Sequence, residues 1–66
     1  MNIMSSRQGR LKIDVASNGN MIRAGADVIV EEVCDNFGNK SVTVSSVTTT
    51  VRLNFYDTDV DRLVDQ

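Results

Sequence analysis

Apolar residues recur with a period of two along much of this chain, the spacing of strands that bury one face. Leu11, Ile13 and Val15 alternate with Arg10, Lys12 and Asp14, which predicts that order begins with a strand at Arg10. Residues 1 to 9 are polar, basic and without a period, and read as a flexible N-terminal arm, leaving 10–66 as a single small β domain. Ser17-Asn18-Gly19-Asn20 supplies turn chemistry, since Asn and Gly tolerate positive φ, and Met21 to Arg23 make a short return strand.

Ala24-Gly25-Ala26-Asp27 is a second break. The three β-branched residues Val28-Ile29-Val30 favour a strand over 28–34. The four-residue spacing of Ala26, Val30 and Cys34, with Asp27 as a cap and Gly38 as a stop, leaves a helix open there. Asp35 to Lys40 is a polar connection containing Gly38, so 28–34 is expected to form a hairpin with 41–47, setting Glu31 opposite Val44 and Val30 opposite Ser45.

Residues 41 to 57, SVTVSSVTTTVRLNFYD, contain neither glycine nor proline. A straight strand of fifteen residues would extend about 50 Å, against a radius of gyration near ~11 Å for a domain of this size. The pattern predicts a bend. Val42 and Val44 are apolar in one phase and Val47, Val51, Leu53 and Phe55 in the other, and a β-bulge at Ser45-Ser46 would account for the slip. On this strand Thr48, Thr50, Arg52 and Asn54 face a partner or solvent. Further on, Val60, Leu63 and Val64 share one helical face, so a short helix is expected over 59–65, capped by Thr58 with Asp61 three residues later.

The predicted fold is mainly β: a small antiparallel five-stranded SH3-like partly open barrel, or a two-layer sheet, with a short C-terminal helix. Ile22 to Val30, IRAGADVIV, resembles the loop and second strand of SH3-like barrels, where glycine and an acid precede alternating valines. These nine residues identify no family.

Composition restricts how such a fold is stabilised. Ten valines, two phenylalanines and one tyrosine without tryptophan make a thin core, and a chain of this length buries only about 60% of its unfolded surface. Small domains commonly add a disulfide, a metal or a partner subunit. Cys34 is the single cysteine and there is no histidine, which excludes an internal disulfide and a structural zinc site. A partner chain is the supplement that remains.

No apolar run approaches the ~20 residues of a membrane span, and with its lone cysteine the chain is expected to be cytoplasmic, with no membrane association. The net charge of −2 divides unevenly, because Arg7, Arg10, Lys12 and Arg23 outweigh Asp14 in residues 1 to 23, while eight acids outweigh three bases thereafter. The basic end suits an anionic partner, or meets the acidic end within an assembly.

Catalysis is not expected. Cys34 lacks a base and reads as a buried small hydrophobe, and the four glycines are scattered singly with no phosphate-binding loop. Asp57, Asp59 and Asp61 open like an EF-hand, but Arg62 stands at the glycine position and the terminal glutamate is missing. Acids in the first turn of a helix account for Asp59 and Asp61. No cofactor, metal or small-molecule substrate is indicated.

The expected function is a non-catalytic interaction module, self-associating or binding a partner protein through an exposed strand edge carrying Thr48, Thr50, Arg52 and Asn54. The alternative is a small nucleic-acid-binding β-barrel that uses Arg7, Arg10, Lys12 and Arg23. A third reading makes the acidic half a decoy for a DNA-binding protein.

Overall fold

The computed structural model describes residues 2–65. It contains β1 (Asn2–Arg10), β2 (Val15–Ser17), β3 (Asn20–Ile22), β4 (Asp27–Cys34), β5 (Lys40–Ser45), β6 (Thr50–Asn54) and α1 (Val60–Leu63). The protein is mainly β. One antiparallel sheet has the order β1-β4-β5-β6, and β2 and β3 form a second sheet of two strands. The described residues form no closed barrel. The radius of gyration is 11.0 Å, the value expected of a compact chain of this length.

Register divides the larger sheet into two faces. Val30, Val44 and Val51 lie opposite one another across β4, β5 and β6, as do Glu32, Val42 and Leu53. The three valines of the first row are at most 1% exposed. Val15 and Ile22 from the β2–β3 hairpin, Leu11, and Val60, Leu63 and Val64 from α1 and its exit pack against this inner face. Nearly all the apolar burial is therefore on one side. The intervening rows, Ile29–Ser45–Thr50, Glu31–Thr43–Arg52 and Val33–Ser41–Asn54, form the outer face.

The two turns foreseen in the sequence form. Asn18 and Gly19 both have positive φ, 53° and 82°, as the two-residue hairpin turn between β2 and β3 requires. Residues 28–34 form a strand rather than the alternative helix. The connection to β5 is Asp35–Asn39, one residue shorter than expected, and sets Val30 opposite Val44 and Glu31 opposite Thr43. A slip of one residue would have turned Val28 and Val30 to the outer face.

Further expectations are corrected. The described part of the expected flexible arm, residues 2–9, lies in β1, paired with β4 from Asn2 opposite Cys34 to Arg10 opposite Asp27; Met1 lies outside the described residues. No strand starts at Arg10. Leu11 donates to the Ala26 carbonyl (2.8 Å), and Lys12 to that of Leu63 (2.7 Å). These bonds tie the segment to the Ala24–Asp27 break and the C-terminal turn, so its apolar residues meet different neighbours.

The long strand is two strands. The phase slip at Ser45-Ser46 is the start of a reversal, in which the Ser46 N–H donates to the Thr49 carbonyl (2.8 Å). The Ser46 hydroxyl accepts the N–H groups of Thr48 (3.4 Å) and Thr49 (3.1 Å). One serine thus supplies the local bonds that glycine or asparagine usually makes easy. Val47 at the tip is 99% exposed instead of belonging to a central strand face, and Phe55, just beyond β6, packs against the core.

The helix is shorter than expected, and its cap is Asp59, whose carboxylate accepts the Asp61 N–H. Thr58 instead donates its hydroxyl to the Asn54 carbonyl (2.6 Å). Among the described residues, no helix is long and apolar enough to cross a membrane.

Candidate interaction surface

The residues expected to meet a partner divide between a turn and a sheet face. Thr48 belongs to the β5–β6 turn, while Thr50, Arg52 and Asn54 project from β6 on the outer face and are exposed. With Glu31 and Thr43 they make a largely polar face around the buried Val33. A shallow groove of about 320 Å3 runs there between Ile3, Glu31, Val33, Thr43, Thr50 and Arg52. Thr43 stands between Glu31 and Arg52 in one row of this face.

The sheet has two outer strands, β1 and β6, and among the described residues neither pairs with a strand on its outer side. The β2–β3 hairpin contacts β6 while packing on the inner face. All five residues from Asn2 to Ser6 are exposed. Ile3 is 60% exposed and Met4 43%. Sequence reasoning missed β1 because a strand exposed on both faces has no apolar alternation to mark it.

The basic residues proposed to contact nucleic acid are mostly engaged within the chain. Arg7 forms an ion pair with Asp61, and Lys12 with Asp65 at 3.1 Å, while the Arg10 guanidinium lies 4.0 Å from Asp27. The Lys12 ammonium also donates to the Asp61 carbonyl (3.2 Å). The basic and acidic halves of the sequence therefore meet inside one molecule. Arg23 follows β3, makes no ion pair among the described residues, and stands apart from the Arg7–Lys12 contacts with the C-terminal turn. The exposed aromatics do not gather around these cations: Phe37 is in the β4–β5 loop, and Tyr56 stacks edge-on against Phe55, with ring centres 5.2 Å apart.

Cys34 is half-buried, with its Sγ 3.6 Å from the Asp35 carbonyl. Asp57, Asp59 and Asp61 do not converge, and no group of His, Cys, Asp or Glu among the described residues is placed to hold a metal ion.

Asp35 organises the β4–β5 loop. Its Oδ1 accepts the N–H groups of Phe37 and Asn39, both at 2.8 Å. The Asn39 N–H, followed by that of Phe37, holds this carboxyl below the usual carboxylate range. A depressed folded-state pKa means that the unfolded chain binds the proton more readily. The contribution of Asp35 to stability is thus present above the ordinary value of about 3.9 and is lost as pH falls through the folded value. Asp35→Asn keeps an acceptor oxygen and removes the titration. Thermal melts between pH 7 and pH 2 should show a shallower acid loss in the variant than in the parent, and parallel curves would refute this role.

No protein-family model matches the sequence, and comparisons with curated proteins and with solved structures found no match.

Proposed function

We propose that this protein is a non-catalytic interaction module that joins a second protein chain through the open edge of its four-stranded sheet. The observation that carries this reading is β1, an outermost strand whose first half is exposed, uncharged and free of proline. An unpaired row of backbone N–H and C=O groups is a template for strand addition, in which the main chain supplies affinity and alternate side chains supply specificity. The expected edge at Thr48, Thr50, Arg52 and Asn54 becomes, in this reading, a polar face beside the groove. We read the architecture as SH3-like in plan, with β4–β5–β6 as the meander and the β2–β3 hairpin beside it.

Light scattering on a sizing column, at two protein concentrations and two salt levels, tests the reading. Mass above that of the monomer, insensitive to salt, supports edge pairing. A monomer that instead shifts single-stranded DNA or RNA, with affinity falling steeply as salt rises, would replace it with nucleic-acid binding through Arg7, Arg10, Lys12 and Arg23. The carboxylates already engaging three of those cations weigh against that outcome.

A further inference from the structure

We propose that Asn18-Gly19, at the tip of the β2–β3 hairpin, is a self-modification site, where the chain converts Asn18 to isoaspartate or aspartate and releases ammonia, with water as the only co-reactant. The reaction is independent of the edge reading.

Asparagine is a thermolabile residue, and it reacts when the next backbone nitrogen can reach its side chain. Only Asn18 precedes glycine; Asn2, Asn20, Asn36, Asn39 and Asn54 precede Ile3, Met21, Phe37, Lys40 and Phe55. A side chain on the following residue crowds the attacking nitrogen and restricts the rotations around it, and Gly19 has none.

The fold leaves this pair open to solvent. Asn18 and Gly19 are exposed, and nothing elsewhere in the described chain lies within 4 Å of the place a Gly19 Cβ would occupy. The Asn18 carboxamide makes no hydrogen bond among the described residues. Two other asparagines have theirs engaged: the Asn39 amide donates to Asp35 (3.2 Å), and the Asn54 side-chain oxygen accepts the N–H groups of Tyr56 (2.9 Å) and Asp57 (3.2 Å).

The turn itself sets the pace. With φ of 53° at Asn18 and 82° at Gly19, this is a type I′ turn, and Asn18 must rotate about its Cα–C bond before the Gly19 nitrogen can approach Cγ. That rotation opens the turn. Resistance is small, because β2 and β3 are three residues each and, among the described residues, pair only with one another. A two-stranded hairpin is marginal by itself. Val15 and Ile22 anchor its far end in the core, whereas Ala16, Asn20 and Met21 are exposed, so the end at the turn opens first.

In the opened turn the Gly19 nitrogen, deprotonated by hydroxide, attacks the Asn18 Cγ. The N–Cγ bond forms and the Cγ–Nδ2 bond breaks. Nδ2 leaves as ammonia, carrying through water the proton that the Gly19 nitrogen lost, and a five-membered imide remains. Water then opens the imide without any change of oxidation state. Addition at Cγ restores the ordinary backbone with aspartate at 18. Addition at the main-chain carbonyl carbon gives isoaspartate, whose backbone runs through Cβ and Cγ.

The two products differ in fold. Aspartate tolerates positive φ as asparagine does, so Ser17 stays opposite Asn20. Isoaspartate adds a backbone atom to a two-residue turn, and the register that sends Val15 and Ile22 into the core is lost.

Peptide mapping by mass spectrometry, on protein incubated at neutral and at alkaline pH, should find amide-to-acid conversion at Asn18 ahead of every other asparagine, faster at the higher pH. In a Cys34→Ser background, Ala16→Cys with Met21→Cys sets two thiols opposite each other across the hairpin, and conversion should be at least about fivefold slower with their disulfide closed than with it reduced. Of the products separated by chromatography, the isoaspartate form should melt below the parent, and Asn18→Asp near it. An unmodified Asn18 in the folded protein, under conditions where the urea-unfolded chain converts, would overturn the site, as would equal conversion at Asn20 or Asn36. Equal rates with the disulfide open and closed would overturn the opening step, and coincident melts of the two products would overturn the loss of register.

Discussion

Leu11→Ala should leave much of the protein unfolded at room temperature. Leu11 is 2% exposed and sits in the core cluster with Val28, Leu63 and Val64. Its backbone is fixed on both sides, with its N–H donating to the Ala26 carbonyl and its carbonyl accepting the Gly25 N–H, both at 2.8 Å. Neighbours tied to a fixed backbone collapse poorly into the space a lost side chain leaves, so the cost should reach about 2–5 kcal/mol. At about 0.05–0.15 kcal/mol per residue, a chain of this length has only roughly 3–10 kcal/mol in total. Ile13→Ala, two residues on, should change stability by no more than about 0.5 kcal/mol, since Ile13 is 45% exposed. Urea unfolding followed by circular dichroism measures both. Comparable losses at the two positions would mean that residues 11–15 form the half-buried strand their alternation suggests.

That contrast marks the limit of what hydrophobic pattern conveys. Leu11, Ile13 and Val15 have the period of a strand, yet tertiary hydrogen bonds to Ala26 and Leu63 take the chain out of strand geometry there. β4 was legible because its β-branched run supports one conformation locally and lies between a break at Gly25 and the loop Asp35–Asn39, which contains Gly38. The β2–β3 turn was legible for the same reason, residues able to take positive φ standing where the chain must reverse. The reversal at Ser46–Thr49 was not, since valine and threonine are strand formers and the deciding bonds come from a single hydroxyl. The phase slip at Ser45-Ser46 recorded the event without showing whether the chain bent or turned back.

The candidate site was less legible than the fold. Thr50, Arg52 and Asn54 are exposed on β6, which strand order places at one edge of the sheet, while the other edge, β1, was not foreseen. Strand order depends on β1 joining β4 across the intervening residues 11–26. No local signal in MNIMSSRQGR specifies that pairing. The charge asymmetry was visible in the sequence, whereas the ion pairs of Arg7, Arg10 and Lys12 that absorb it depend on the placement of the C-terminal turn.

Val44→Thr should destabilise the protein by about 1–3 kcal/mol although the two side chains have nearly the same shape. Val44 is fully buried between Val30 and Val51, and the carbonyls nearby are occupied in the strand ladders, so the new hydroxyl meets valine methyl groups. Thr43→Val, one residue away on the outer face, should alter stability by no more than about 0.5 kcal/mol. The pair Val30→Thr and Val44→Thr then reads the register directly. Threonines opposite each other on neighbouring strands can hydrogen-bond to one another, so the double variant should be more stable than the sum of the single losses predicts, by about 0.5 kcal/mol or more. In the register suggested by a six-residue loop, residues 30 and 44 are not opposite one another and lie on opposite faces of the sheet, so the losses would simply add. Strict additivity, measured by urea unfolding of all four proteins, would therefore overturn the pairing of Val30 with Val44 and the division of the sheet into a valine face and a threonine face.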